Sequence, residues 1–368
     1  MRLRELAGAT ALEACAADYD ALCDAVRAPV TARRAWLQTW ADCYPDWEPW
    51  VFVVDDAAGP VAAAALARSR RAGFVRVVGL GHGPSDEARL PAVDQAAAVR
   101  LADGVTAALG RLGRPWQLHV EQLPPADPAP AALAARLPVG RVVAGDGMPQ
   151  ITVHPSRELR RHVSRNTRSA LAKARNRIAA AGLEERLVWT SDPAAIAAAM
   201  PELAAVHRAR DHSLGRRSDH DDPRAARFHR EVLLRHARAG EVELLTLRLG
   251  DRLAAYVAAF CDGAALRVWD NRLEPSFAHL SAGRIANAEA VAHVVADQRY
   301  AVLDWMRGEE SYKLSNATTV VPTCDVWGFS SRVAELPYRT WAAAKARKDS
   351  TAALDQLWRR LNRLPSRG

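Results

Sequence analysis

The sequence predicts an α/β chain with mixed sheets, arranged as two tandem domains and ending in a basic helix. Three observations carry this expectation: the length of 368 residues, a strand and helix order that occurs twice at a near-constant spacing, and positive charge confined to two segments. A chain of this length exceeds the usual single-domain size, so two cores are expected. With 49% hydrophobic and 25% charged residues, the balance is globular and excludes a largely disordered or fibrous chain.

In the first half, a helical stretch from Ala32 to Tyr44 precedes strand Trp50 to Val54, a turn at Asp55 to Pro60, strand Val61 to Ser69 and strand Phe74 to Leu80. In the second, Pro223 to Ala239 reads as a helix, followed by strand Val242 to Leu249, the turn Gly250-Asp251, strand Leu253 to Cys261 and strand Ala265 to Asn271. Val61 and Leu253 lie 192 apart, and Val75 and Leu266 lie 191 apart, as do Pro84 and Pro275. Each half then adds a helix (Ala92 to Leu109, Ala282 to Asp297) and a strand (Trp116 to Leu123, Val302 to Met306). Three meandering strands, a helix and a further strand form a layered fold whose sheet mixes antiparallel and parallel pairs. The expected boundaries are 1–145 for the first domain, 146–335 for the second, and 336–368 for a basic helical tail.

The formal net charge is +8. Residues 157–177 carry eight Lys or Arg against Glu158, a balance of +7, and 339–367 carry eight against Asp349 and Asp355, a balance of +6. The remainder of the chain is therefore acidic. The first patch reads as a basic helix over 157–180: Leu159, Val163, Leu171, Ala174 and Ile178 recur at helical spacing, and Arg161, Arg165, Arg168 and Arg175 lie on another face. Such a face is a solvated helix surface or a phosphate-binding one, RNA included.

The apolar runs Val61 to Ala67 and Leu253 to Cys261 fall well short of the roughly 20 residues a bilayer span requires. The N-terminus has no apolar run of the secretory kind. Five scattered cysteines, Cys15, Cys23, Cys43, Cys261 and Cys324, show no metal or redox spacing. A cytoplasmic setting and no membrane partner are expected. No metal is expected either, because the histidines and aspartates between His207 and His229 lack paired-ligand spacing. Within them Asp222-Pro223 reads as a helix start. Gly79, Gly81 and Gly83 mimic a dinucleotide fingerprint, but Pro84 follows where a helix should begin. The spacing of Trp36 and Trp40 points to core packing.

Four stretches sharpen the reading: the entry helix with Trp36, Leu37 and Trp40; the basic helix; His207-Arg208-Ala209-Arg210; and Asp304-Trp305-Met306-Arg307-Gly308-Glu309-Glu310-Ser311-Tyr312-Lys313. Together they resemble the GNAT acyltransferases, in particular the CelD-like and FemABX-like families that carry the fold twice. The resemblance covers roughly residues 20–330. Two departures bear on substrate: Asp211 stands where many relatives have Trp, and Leu314-Ser315-Asn316 follows the lysine in place of a basic and aromatic sequel.

The resemblance implies transfer of an acyl group to an amine. It places the donor carbonyl near strand Ala265 to Asn271 and the donor phosphates at the following helix start, where Ser281, Gly283 and Arg284 stand. Ser281 reads as the N-cap. Tyr312 is then a candidate proton donor to the leaving group, and Lys313 a candidate for the oxyanion or a phosphate. Glu309, Glu310 and Asp270 are candidate bases. Glu309 also reads as the ion-pair partner of Arg307, and Asp270 as a turn residue. His207 and Arg210, with Trp305 and Arg307, are expected to line the substrate groove.

The leading expectation is a GNAT-type N-acyltransferase taking acyl-CoA as donor and a small amine or amino sugar as acceptor. Direct transfer is expected, because no cysteine or serine sits in a nucleophile motif. The second half is expected to be catalytic, since Gln122 to Pro125 offer no counterpart to Arg307-Gly308-Glu309-Glu310. One alternative is aminoacyl transfer from aminoacyl-tRNA held by the basic helix and tail. The other is a non-catalytic nucleic-acid-binding module.

Overall fold

The computed structural model describes residues 2–71, 73–315 and 317–346. The chain divides into two compact units, Met1–Gly145 with Pro322–Gly368, and Asp146–Val321.

The first unit begins with strand β1 (Arg2–Ala7), helices α1 (Ala16–Ala25) and α2 (Arg34–Cys43), and the meander β2 (Glu48–Asp55), β3 (Pro60–Arg71) and β4 (Phe74–Gly79). Helix α3 (Gln95–Gly110), β5 (Trp116–Leu123), α4 (Pro128–Arg136) and β6 (Val139–Ala144) follow. The second unit holds β7 (Met148–Thr152), α5 (Leu159–His162), α6 (Arg165–Ala180), β8 (Glu185–Thr190), α7 (Pro193–Ser213) and α8 (Pro223–Arg238). Its meander is β9 (Val242–Leu249), β10 (Arg252–Asp262) and β11 (Ala265–Leu273), and it closes with α9 (Ala282–Ala296), β12 (Val302–Asp304), α10 (Ser311–Leu314) and β13 (Thr319–Val321). Strand β14 (Cys324–Phe329) and helix α11 (Arg332–Ala346) belong to the first unit.

Each sheet has seven strands, in the order β1-β2-β3-β4-β5-β14-β6 and β8-β9-β10-β11-β12-β7-β13. In both, only the fourth and fifth strands run parallel; all other neighbours are antiparallel. The two orders match position for position, with one exchange of chain. The sixth place of the first sheet is filled by β14 from the end of the chain, and that of the second by β7, which directly follows the first unit's β6.

Helix α3 lays Leu101, Val105 and Leu109 on Phe52, Leu66, Val77 and Leu118, and α9 lays Ile285, Val291 and Val294 on Leu247, Val257 and Leu266. Each such side chain contributes roughly 1.5–3 kcal/mol by leaving water. Trp36 and Trp40 are fully buried. Helix starts follow the local chemistry: Asp94 accepts from the Ala97 amide at 2.8 Å, and Asp222 accepts from the Arg224 amide at 2.9 Å beside Pro223.

Four expectations are corrected. The basic helix over 157–180 is two helices, because Val163 is extended and Ser164 caps the second by accepting from the Thr167 amide at 3.1 Å. Residues 322–335, grouped above with the second domain, carry β14 into the first sheet. The strand expected over 302–306 stops at Asp304, since Met306 takes a left-handed φ of 55° that no strand accommodates. The helix expected from Ala32 begins at Arg34, after a single tight turn over Val30–Ala32. The expected tail beyond Ala346 lies outside the described residues. Among those described, no helix is long and apolar enough to cross a membrane.

Candidate active site

The centre of the second unit is a strand pair that diverges. Strand β11 pairs with β12 only through Ala265, Leu266 and Arg267, opposite Val302, Leu303 and Asp304. Beyond that point β11 continues to Leu273, while the chain after Asp304 turns to β7, the Trp305 amide donating to the Pro149 carbonyl at 3.0 Å. The side of β11 that faced β12 therefore has no strand partner over 268–273 among the described residues. A parallel pair opened this way offers a main-chain edge to an extended ligand.

A bulge changes what this strand displays. The β10–β11 register passes from Ala259↔Val268 to Ala258↔Asp270, so Trp269 is the extra residue. Asp270 and Arg272 then share a face with Tyr256, while Asn271 points toward α9. On the first of these faces lies a buried polar group. Tyr256 donates to Asp270 Oδ2 at 2.6 Å, Arg272 NH1 lies 3.1 Å from Asp270 Oδ1, and His207 Nε2 is 3.7 Å from the same oxygen. The other ring nitrogen of His207 meets Asp211 at 3.1 Å and Ser218 Oγ at 3.0 Å. Burial opposes ionisation of Asp270, yet the Arg272 guanidinium, helped by His207, His229 and the Tyr256 hydroxyl, holds its pKa below the usual carboxylate range. Burial pushes His220 and His229 down to about 4, with their mutual proximity and that of His207 adding to the effect on His220. Both imidazoles are neutral near pH 7.

Tyr312 stands on the other side of the strand. Its hydroxyl donates to Asn271 Oδ1 at 3.1 Å, and Asn271 in turn donates to Asn287 Oδ1 on α9 at 2.9 Å. The ring meets Trp305 edge-on at 6.2 Å, and the residue remains 37% exposed. Burial of the hydroxyl raises its pKa to about 12, so it keeps its proton throughout the physiological range.

The strand-end motif forms one loop around that tyrosine. Asp304 is fully buried and accepts from Gln150 at 3.0 Å, Arg267 at 2.6 Å and the Met306 amide at 2.8 Å. Arg307 pairs with Asp146 at 2.8 Å, not with Glu309, which accepts from the Gly147 amide at 3.2 Å. Lys313 is buried, its ammonium 3.1 Å from Glu310 and 2.5 Å from the Arg307 carbonyl. The lysine thus closes the loop on itself. Trp305, Arg307, Glu309, Glu310, Tyr312 and Lys313 lie together, and Asp270 with His207 forms a second group beneath β11. Contrary to the groove-lining expectation, His207 is only 1% exposed; Arg210 is half-buried on α7.

At the start of α9, Ser281 is left-handed, with φ 62°, and makes no capping bond. Its hydroxyl instead accepts from Arg177 of α6 at 3.0 Å. A Cβ on Gly283 would stand 2.7 Å from Leu273 Cδ2, so that glycine serves the contact between α9 and β11. Arg284 is exposed on the first turn. Arg161, Arg165, Arg168 and Arg175 are all exposed, the last paired with Glu185 at 3.1 Å. Arg157, counted with them by charge, instead caps α9 by donating to the carbonyls of Val294, Val295, Asp297 and Tyr300. Among the described residues, Glu243, His293 and Asp297 bring potential metal ligands together. Arg299 NH2 lies 2.6 Å from both carboxylates and already supplies the positive charge.

Residues 165–314 match the family profile described as an acetyltransferase (GNAT) domain. The second unit carries a GNAT acetyltransferase domain, and the first unit repeats its strand order. The matched GNAT domain spans β11, β12 and the Tyr312 loop. FemX superposes with a TM-score of 0.60 at 9% identity, covering 84% of this chain and 95% of that one. The C-terminal domain of a putative lysylphosphatidylglycerol synthetase from Agrobacterium fabrum gives 0.53 at 12% identity, covering 85% and 91%. A conserved protein of unknown function from Bacteroides thetaiotaomicron gives 0.51 at 12% identity, covering 84% and 96%. At these identities the likeness is one of fold. No curated protein matches the sequence.

Sequence reasoning missed Asn271, Arg272, Asn287, Tyr256 and Arg177. The first two stand at and just beyond Asn271, where the strand was expected to end, whereas it runs on to Leu273. Tyr256 and Asp270 come onto one face only through the bulge at Trp269.

Proposed function

We propose that the second unit of this double-GNAT protein transfers an acyl group from an acyl-CoA-type thioester directly to a primary amine. The observation that carries the reading is the divergence of β11 from β12 beside a protonated, partly exposed Tyr312. An extended thioester arm adds along the open edge of β11, and main-chain amides there polarise the carbonyl. The amine nitrogen attacks that carbon, the carbon–sulfur bond breaks, and the departing thiolate takes the Tyr312 proton. The amine gives up its own proton to Glu309 or Glu310 through water. Asp270 serves the reaction as a support, because Tyr256 and Arg272 already occupy its oxygens. Direct transfer fits the thiols: burial raises Cys261 and Cys324 to about 11, so neither is a ready nucleophile. The donor's phosphates are assigned to the start of α9, where Arg177 and Arg284 add positive charge.

The test is thiol release by purified protein given acetyl-CoA and polyamine or amino-sugar acceptors. Turnover above solvent hydrolysis is expected, and Tyr312→Phe should cut it about 10²- to 10³-fold, the scale of a lost general acid. No donor and acceptor pair giving turnover, or an unchanged rate in Tyr312→Phe, overturns the reading.

A second reading takes the acyl group from aminoacyl-tRNA. It is favoured by the exposed row Arg165, Arg168 and Arg175 on α6, whose Arg177 reaches α9. Filter binding should then show affinity for tRNA falling steeply with salt. Absent or salt-insensitive binding removes it.

A further inference from the structure

Strand β11 carries two arginines in opposite states. Arg267 is saturated, with Nε 2.6 Å from Asp262 and NH1 2.6 Å from Asp304, its side chain 15% exposed. Arg272 uses NH1 alone, toward Asp270 Oδ1 at 3.1 Å and the Asn271 carbonyl at 2.9 Å. Its Nε and NH2 have no hydrogen-bond partner among the described residues, and its side chain is 30% exposed. The anchoring carboxylate is itself immobilised by Tyr256 and burial. One edge of the guanidinium is thus fixed and the other presented, at a residue beyond the β11–β12 ladder and next to the asparagine that holds Tyr312. A planar fork held this way is prepared for an oxyanion, because its side-chain entropy is already lost and two parallel donors match a carboxylate or phosphate.

We propose that Arg272 is the anion-recognition group of the acyl-transfer cleft, pairing through Nε and NH2 with a carboxylate or phosphate oxygen of a substrate. The inference rests on the thioester-dependent reading above and adds a substrate requirement: either the acceptor amine carries a carboxylate, or a donor phosphate reaches this point of the strand.

The experiment compares wild type with Arg272→Gln by thiol release, using acetyl-CoA or the phosphate-free thioester S-acetyl-N-acetylcysteamine as donor. The acceptor is supplied as its carboxylate or as the methyl ester. Arg272→Gln should raise KM about 10- to 100-fold for the substrate bearing the anion, with kcat changed only a few-fold, as expected for loss of a charge-assisted pair. If the anion is a donor phosphate, the penalty vanishes with the phosphate-free donor; if it is the acceptor carboxylate, it vanishes with the ester. A penalty equal across all four pairs, or none, overturns the proposal. Arg272→Lys keeps a charge beside Asp270 but loses the fork, so it should fold and show an intermediate KM. Should wild type release no thiol with any pair, the functional reading fails on its own. Calorimetric titration with CoA and with the acceptor carboxylate then tests Arg272 separately: at least tenfold weaker binding of one of them to Arg272→Gln supports the site, and equal affinities for both overturn it.

Discussion

The two units run through one strand order and differ at the place where it opens. In the second, β12 is three residues long, β11 outruns it, and the gap leads to Tyr312. In the first, β4 stops at Gly79, shortly after its ladder with β5 ends at Val78↔His119, and β5 continues to Leu123 alongside β14. The chain after β4 then fills the space that β4 leaves. The Ala88 amide donates to the Gln122 carbonyl at 3.0 Å, and 91–93 bond to β3 at Val61 and Ala63. Leu90 of this segment is buried in the first core. A shared fold thus carries one open edge and one closed with its own backbone. What separates the two copies is the course of the chain after a single strand: residues 88–93 bond back to the first sheet, whereas β11 over 268–273 has no strand partner on that side among the described residues.

The sharpest way to break this contrast is stoichiometric. Titration of CoA into the whole chain should saturate at one per chain; two would show that the 80–93 segment does not block its unit.

Next in size is Asp304→Ala. Removing a buried carboxylate strands Arg267, Gln150 and the Met306 amide, at a cost of about 3–5 kcal/mol. Urea unfolding followed by tryptophan fluorescence should show this loss. Asp325→Ala in the first unit, where a partly exposed carboxylate serves Gln122 and His119, should lose less, because five β5–β14 pairs remain.

Acid should also act on the second unit. His220 and His229 have folded pKa values of about 4, below the unfolded value near 6.5. The unfolded chain therefore binds more protons between these values, and stability falls as pH drops from about 6.5 toward 4. His229→Gln should flatten that part of the curve.

The smallest expected effect is Gly81→Ala in the first unit. The position has φ 93° and a Cβ would stand 2.4 Å from Ser85 Oγ. A loss of about 1–3 kcal/mol is expected, with thiol release by the intact chain unchanged.

The repeat was legible because buried central strands announce themselves: β5 and β9 have the bounds their apolar runs predict, and α8, α9 and β10 differ by one or two residues. The flanking strands were not, for a physical reason. β1, β6 and β13 carry few buried residues, so their sequences lack strand alternation, and β7 and β14 are placed by pairing with residues far along the chain. At the site, the strand-end motif drew attention to Tyr312 and its loop. The inner partners were hidden because one inserted residue, Trp269, reverses which side chains face α7 and α8, and no periodicity reports a bulge before pairing is known.

The crossed sixth strands have a consequence for synthesis. When the ribosome has made the first 145 residues, the sheet begun by β1 has a gap between β5 and β6 that only Cys324–Phe329 can close. The nascent amino-terminal half must wait, with two unpaired strand flanks, until residues 324–329 have been made. A gene cut after Gly145 would yield an amino-terminal product that lacks one rib of its sheet and a carboxy-terminal product that carries that rib unpaired in addition to a complete sheet of its own.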